Sequence, residues 1–570
     1  MLVTKDLVGP VKNGGIGTAF TELSLSLAAE GYNVTVLFAS KIFEEQEAEE
    51  GENEQGKTKN EKEKKKEKEK EKGGWMDMYE KAGAEVVVLP PSKYVNTYQG
   101  SLSSHEARCA YETYLWMVER DGEYDVVHFH EWLGLPYFVT LSKHQGLHFR
   151  ETLLVVQTHG PLMWSSIGGK VFPVDYNTIQ SDFMERKAVE YADVLVSPSL
   201  FMLTWMQENG WVLPQRVYRQ FNLRREYLRV GAEVSQREAE GGEGRRYHVN
   251  ELVFFGRLET RKGVYLFLDA LDILLKGLKD GGGGSVEGDS ASEGEGDLRK
   301  TEWGRNSYLV TFLGKFRQGR NNPWSDIMKI KREKRWGGNV RIQFLRDMDY
   351  REAVAYLQQD NTHNTHNTLT RRIALMPSLT ENSPYTVLEC LAMGIPFGAT
   401  NVGGTAELVR ETERDSVLFN PDPQSFAEFL RRAIVRGVQI ARPSFDLTQN
   451  HREWMNWHAC LSVRSHNTRN THNTHNTYNN DLMVSVIITS HNRGKLLREA
   501  VESVGAQTYR NFEIIVTDDA SDDKVTQREL ASISEEFKKE GKGWHVYISP
   551  TKGTLSLATH TPHTHTHTQH

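Results

Sequence analysis

Strand-length apolar runs recur along this chain, each followed by a turn and a stretch with helical periodicity. A first series lies at 2–4, 34–38, 86–89, 126–129, 153–157 and 194–197. A second lies at 252–255, 308–313, 342–345, 373–376 and 417–419, and a third opens at 484–489 and 512–517. Runs that are apolar at nearly every position suit parallel strands buried on both faces, not half-exposed hairpins. Between them, Phe20, Leu23 and Leu27 mark one helical stripe, and Phe267, Leu271, Leu274 and Leu278 another. Strands alternating with helices predict an α/β fold of doubly wound sheets. The restart at 252 predicts two complete Rossmann-like domains, and the restart at 484 a partial third.

Several stretches cannot join a core. Residues 44–72 are dominated by Glu and Lys, 281–296 by Gly, Ser and Glu, and 361–368 and 466–477 by His, Asn and Thr. The expected organisation is an N-terminal domain at 1–220 with a disordered insert at 41–74, and a C-terminal domain at 245–462 with inserts at 280–300 and 361–368. A linker at 463–480, a truncated domain at 481–559 and a low-complexity tail at 560–570 follow. The His-rich tracts lack the fixed geometry that a metal site requires.

Bulk chemistry narrows the function. A net charge of −7 over 570 residues gives no basic footprint for nucleic acid. Cys109, Cys390 and Cys460 are far apart and show no CxxC spacing, which reads as reduced thiols in a reducing compartment. No run approaches the roughly 20 apolar residues of a membrane span, and the N-terminus has no long apolar leader core. The expectation is a cytoplasmic protein without an integral membrane segment.

Four motifs carry chemistry. Asn13-Gly14-Gly15-Ile16-Gly17-Thr18 joins the first strand to the first helix, where glycines let the backbone approach a ligand and free amides favour an anion or sugar. Phe255-Gly256-Arg257-Leu258-Glu259-Thr260-Arg261-Lys262-Gly263 follows a strand, so Arg257 and Lys262 stand at the sheet's C-terminal edge, where α/β folds bind ligands. Two cations there suit a diphosphate. Glu381 and Glu389 form an E-x7-E pair across a loop and the following helix, and carboxylates are good acceptors for vicinal hydroxyls. Gly394-Ile395-Pro396 then leads to Val402-Gly403-Gly404-Thr405-Ala406-Glu407, a second Gly-rich turn opening a helix. Taken singly, each also describes a structural turn or solvated charge.

Taken in order, GRLxxxKG, E-x7-E, GxP and GGxxE resemble family 4 of the GT-B glycosyltransferases, which includes glycogen- and sucrose-synthase-like enzymes. The likeness runs from about residue 1 to 460. It includes Tyr124-Asp125-Val126-Val127-His128-Phe129-His130-Glu131-Trp132, Gln157-Thr158-His159-Gly160, and a terminal helix around Glu453-Trp454 and Trp457-His458 that crosses back to the first domain. The resemblance implies a cleft between two Rossmann-like domains and retaining transfer of a hexose from a UDP-, GDP- or ADP-linked sugar to a glycan or other hydroxyl acceptor. No metal or other cofactor is expected. It further implies that Arg257 and Lys262 hold the diphosphate, Glu381 the donor sugar and Glu389 the ribose. His159 would lie near the sugar on the acceptor side, and Gly15, Gly17, Gly403 and Gly404 would approach the donor. His128 and His130 then read as hydrogen-bonded strand-edge histidines, not as metal ligands. Alternatives are an inert nucleotide-sugar binder and a GT-B-fold epimerase.

One departure stands out. Many relatives place glycine and an aromatic after the first glutamate, whereas this chain has Asn382-Ser383-Pro384-Tyr385, and Pro384 has no N–H to offer a ligand. In the third unit, the run 484–493 and Ile514-Ile515-Val516-Thr517-Asp518-Asp519 resemble the start of a family 2, GT-A fold glycosyltransferase. Asp519 matches the carboxylate that contacts base or ribose. No D-x-D follows it, so this unit is expected to be inactive.

Overall fold

The computed structural model describes residues 1–9, 14–39, 74–90, 104–172, 175–225, 246–279, 308–315, 323–333, 336, 340–346, 348–359, 370–471, 484–507, 512–540 and 544–549. The inserts expected at 41–74 (save Gly74, which opens a short helix), 280–300 and 361–368 lie outside these residues, as does the tail at 560–570. Two compact units divide the chain, Met1–Ser465 and His466–His570.

The first unit holds two parallel sheets. Strands β1 (Leu2–Thr4), β2 (Val34–Phe38), β3 (Ala84–Val88), β4 (Val126–His130), β5 (Leu153–Gln157), β6 (Val194–Ser197) and β7 (Val217–Arg219) form a sheet of order β3-β2-β1-β4-β5-β6-β7. Strands β8 (His248–Phe255), β9 (Tyr308–Leu313), β10 (Val340–Leu345), β11 (Thr370–Met376), β12 (Phe397–Thr400) and β13 (Leu418–Phe419) form the other, of order β10-β9-β8-β11-β12-β13. Strand order reverses direction between β1 and β4 in one sheet and between β8 and β11 in the other. These switch points leave a crevice beyond the carboxyl ends of the strands. Apolar clusters cover both faces of each sheet, as continuous apolar strands require. The edge strand β7 has no apolar run: it is three residues, half-buried to exposed.

The helices needed below are α1 (Gly15–Ala29), α2 (Leu162–Gly168), α3 (Tyr176–Glu190), α4 (Leu200–Glu208), α5 (Val264–Lys279), α6 (Tyr385–Met393), α7 (Thr405–Leu408) and α8 (Leu447–Thr471). The stripe expected on α1 understates its burial, because Gly17 and every residue from Ala19 to Leu27 are buried. The first sheet lies on one side of α1, while Tyr79, Leu223, Trp454 and Met455 join the same cluster. Phe267, Leu271 and Leu274 of α5 face the core of the second sheet as expected.

Helix α8 follows the second sheet in sequence but packs on the first. Trp454 is 2 % exposed, and its indole Nε1 donates to the Phe221 carbonyl at 2.7 Å. The helix extends to Thr471, into the stretch the sequence marks as linker. No proline or glycine interrupts 447–471, so nothing in the local chemistry stops it. Among the described residues, no helix is long and apolar enough to cross a membrane.

The second unit contains a parallel sheet of order β14 (Val484–Ser490), β15 (Phe512–Asp518) and β16 (His545–Ile548). Helices α9 (Gly494–Gly505) and α10 (Lys524–Glu540) pack on it.

Candidate functional site

Three of the predicted site residues stand just beyond the central strands of the second sheet. Arg257 and Lys262 follow β8, and Glu381 follows β11, its neighbour in the sheet. The two loops are tied together: the Leu379 amide donates to the Arg261 carbonyl at 2.8 Å. Gly263 is left-handed (φ 75°), and a β-carbon there would sit 1.7 Å from the Pro377 carbonyl oxygen. Only glycine permits that approach, and the approach sets Lys262 beside Glu381. Their side chains form an ion pair, 18 % and 10 % exposed. Burial pulls the Lys262 ammonium below its ordinary pKa, against the pull of Glu381. Burial pushes Glu381 the other way, yet Lys262 and Arg261 hold its carboxyl below its ordinary value. The result is a fixed carboxylate with a cation at its shoulder. Arg257 is more open, 45 % exposed, with Glu259 at 3.2 Å.

Glu389 lies on α6 and is buried. Its carboxylate faces the Arg224 guanidinium at 3.6 Å, and Arg224 also pairs with Glu22 of α1 at 2.9 Å. One arginine from the segment after β7 thus joins α1 to the E-x7-E helix. Gly403 is left-handed (φ 57°), and a β-carbon there would lie 1.8 Å from the Glu381 carbonyl oxygen. The Gly404 amide donates to that same carbonyl at 3.0 Å. The GGxxE turn therefore cradles the backbone of Glu381, and the Gly404 N–H that could meet a ligand is engaged by the protein.

On the first sheet, Gly15 opens α1, and a β-carbon on it would be 3.8 Å from the Tyr385 ring at the start of α6. Gly17 packs on Asp6 and Leu7. Burial raises the Asp6 pKa, while the Gly17 amide and Arg257 act against it. Asp6, two residues beyond β1, thus packs against the first Gly-rich turn and lies within the field of Arg257; nothing in its sequence setting singles it out.

His159 follows β5. Its backbone amide and that of Gly160 donate to Glu131 Oε1 at 2.7 and 2.5 Å, and Phe20 packs beside its ring. Burial drops the imidazole pKa to about 3, so it is neutral. Its Nε2 is buried and has no protein partner. Glu131 is fully buried, and burial lifts its pKa to about 7 against the amides that bind it. His130 Nε2 accepts from the Lys5 amide at 3.2 Å, and His128 Nε2 meets His458 Nε2 at 2.9 Å. Both histidines are therefore used in hydrogen bonds, although β4 is an interior strand and not an edge. Among the described residues, no group of three or more His, Cys, Asp and Glu could hold a metal ion.

In the second unit, Asp519 is the first residue after β15. Its amide donates to the Ser490 carbonyl at 2.9 Å, and its own carbonyl faces His491 Nδ1 at 2.8 Å. The adjacent Asp518 is buried and accepts from the Ser521 amide and hydroxyl.

Three family models match parts of the chain. Residues 14–219 match the glycosyl transferase 4-like domain, and 369–435 match glycosyl transferases group 1. Residues 485–560 match glycosyl transferase family 2. Segments of the chain thus match glycosyltransferase families, a 4-like domain and group 1 within the first unit and family 2 within the second. An uncharacterized glycosyltransferase of Rickettsia felis is 47 % identical over 60 residues, 10 % of each chain. One of Rickettsia typhi is 51 % identical over 43 residues, 8 % of this chain and 14 % of its own. The match thus spans about a tenth of these relatives' length. Among solved structures, sucrose-phosphate synthase from Thermosynechococcus elongatus is 14 % identical with a TM-score of 0.45, covering 82 % of this chain and 98 % of its own. Anabaena HepE in complex with UDP-glucose is 15 % identical with a TM-score of 0.46, covering 80 % and 99 %.

Proposed function

We propose that the first unit transfers a hexose from a nucleotide-diphosphate sugar to a hydroxyl acceptor, with retention at the anomeric carbon and without a metal. One observation carries this reading: Lys262 and Glu381 are paired on the loops after the two central strands of the second sheet. A cation and an ionised carboxylate fixed side by side suit a donor whose diphosphate and sugar hydroxyls are adjacent. Arg257 and Lys262 would stabilise negative charge as the nucleoside diphosphate departs, the task a metal performs elsewhere. Glu381 accepts from the donor sugar's hydroxyls. His159, neutral and with Nε2 free of protein partners, can accept from or donate to a hydroxyl on the acceptor side.

The transfer breaks the bond between C1 and the phosphate oxygen, and its electron pair leaves with the phosphate. The acceptor oxygen bonds to C1 on the same face, and its proton passes to the departing phosphate. Glu389 would reach the donor ribose in place of Arg224.

The test incubates the full chain with UDP-, GDP- and ADP-sugars, with and without EDTA, and measures nucleotide release and the anomeric configuration of the product. Release that persists in EDTA and is lost in Glu381→Ala supports the reading. Binding without release, unchanged by Glu381→Ala, would instead make the protein an inert nucleotide-sugar binder.

A further inference from the structure

Asn382 follows Glu381 on the loop after β11, and its side chain leaves its own sheet. Its Oδ1 accepts from the Ser199 hydroxyl at 2.5 Å, and its Nδ2 donates to the Thr158 carbonyl at 3.3 Å. Asn382, Ser199 and Thr158 are all buried, at 4 %, 0 % and 0 % exposure. Thr158 and Ser199 follow β5 and β6 of the first sheet, whereas Asn382 follows β11 of the second.

The chemistry fixes the amide's orientation. A carbonyl can only accept, so Nδ2 must face Thr158. Ser199 Oγ already accepts from the Met202 amide at 3.1 Å as the N-cap of α4, and its proton goes to Oδ1. The Thr158 hydroxyl meets Ser197 Oγ at 2.9 Å, and Ser197 Oγ donates to the Ser199 carbonyl at 2.8 Å. The network therefore continues into the first sheet.

We propose that Asn382 is a positioning residue that latches the two sheets together and sets the register between Glu381 and His159. Each of those residues is the chain neighbour of an atom in the latch: Glu381 precedes Asn382, and His159 follows Thr158. A glycine at 382 would leave this register to the remaining contacts. In this chain, closing the cleft and aligning the two groups become one event. The structural half stands by itself; the catalytic half rests on the function proposed above.

The test uses the full chain with Cys460 replaced by serine, since Cys109 and Cys390 are buried. Labels are placed at Ile179 of α3, which is 63 % exposed, and at the exposed Glu428, one position on each sheet's helices. In Asn382→Ala and Asn382→Gly the distance distribution between the labels should broaden and lengthen. Loss of a neutral buried hydrogen bond shifts such an equilibrium about three- to tenfold. Ser199→Ala should produce an overlapping change, so that the double variant moves no further than Asn382→Ala. Asn382→Asp, which keeps the shape but sets a carboxylate against the Thr158 carbonyl, should open the cleft at least as far. An unchanged distribution in the folded Gly and Asp variants, or fully additive effects with Ser199→Ala, overturns the latch. Where donor turnover is measurable, kcat should fall with the donor KM little changed. Absence of turnover in the parent counts against the proposed function and leaves the distance measurement decisive for the latch.

Discussion

Lys262 donates to Glu381 across two loops that are far apart in sequence and adjacent in space. Removing the lysine leaves a largely buried carboxylate without its nearest cation. Lys262→Ala should destabilise the first unit by about 3 kcal/mol, lowering the thermal midpoint of that unit by about 3 °C. The double variant Lys262→Ala, Glu381→Ala should cost less than the sum of the singles, because no stranded charge remains. The pH dependence has a definite sign. The Glu381 pKa is lowered in the fold, so its contribution is present above its ordinary value of 4.5 and is lost as pH falls through the folded value. Calorimetry of both single variants and the double at pH 4 and pH 7 checks the pairing.

Glu407 supports a different junction. Its carboxylate accepts from the Leu200 amide at 2.9 Å and the Phe201 amide at 2.8 Å, at the N-terminus of α4 on the other sheet. Arg219 pairs with it at 3.1 Å. A carboxylate at a helix N-terminus satisfies orphan amides and opposes the helix dipole. Glu407→Ala should cost about 1–2 kcal/mol and speed hydrogen exchange of the Leu200 and Phe201 amides by about tenfold. Glu407→Gln should fall between. Unaltered exchange at both amides in Glu407→Ala would show that the carboxylate is dispensable there.

The α/β class, both sheets and nearly every central strand were legible because buried parallel strands are apolar at consecutive positions, a pattern that survives without knowledge of partners. Strand β7 was not, since an edge strand of sequence Val-Tyr-Arg carries no such run. At the candidate site, the placement of Arg257, Lys262 and Glu381 just after strands was legible. What they touch was not. Arg224 on Glu389, Asp6 under Gly17 and Asn382 on Thr158 join residues roughly ten to more than two hundred positions apart, and no local periodicity encodes such a meeting. Gly403 and Gly404 show the same limit: their motif marked a tight turn, but only the fold reveals that the turn wraps the Glu381 carbonyl.

His458 holds α8 against β4 through a hydrogen bond whose direction can be deduced. Its Nδ1 faces the Trp454 carbonyl at 2.7 Å and must carry the proton. Its Nε2 therefore accepts from His128 Nε2–H. Burial holds the His458 pKa at about 4 and His128 well below its ordinary value. Both rings are neutral in the fold and take protons near 6.5 when unfolded. Their contribution is complete above 6.5 and is lost as pH falls through about 4. His458→Phe keeps the ring but strands the His128 N–H, so it should cost about 1–3 kcal/mol at pH 8. The deficit should narrow toward pH 4.5, because one titrating imidazole has been removed. Denaturant melts at the two pH values test the sign, and a deficit that widens on acidification refutes the depressed pKa of His458 in the fold.

Glu131 predicts the opposite slope. Burial raises its pKa from 4.5 to about 7, against the stabilising amides of Gly160 and His159. Glu185, also buried, is raised too, chiefly by burial and then by Glu131. An acid with a raised folded pKa stabilises the fold fully below its unfolded value, and that contribution is lost as pH rises through about 7. Glutamine in place of Glu131 still offers one oxygen to both amides but never ionises, and it relieves Glu185 as well. Neighbouring histidines titrate in parent and variant alike, so they largely cancel in the difference. Relative to the parent, Glu131→Gln should therefore gain stability steadily from pH 4.5 to pH 7.5, read as a rising difference in unfolding midpoint. A flat difference over that range would mean that Glu131 is already ionised in the fold. The His159 turn would then be held by a charged carboxylate, and the amides would outweigh the cost of its burial.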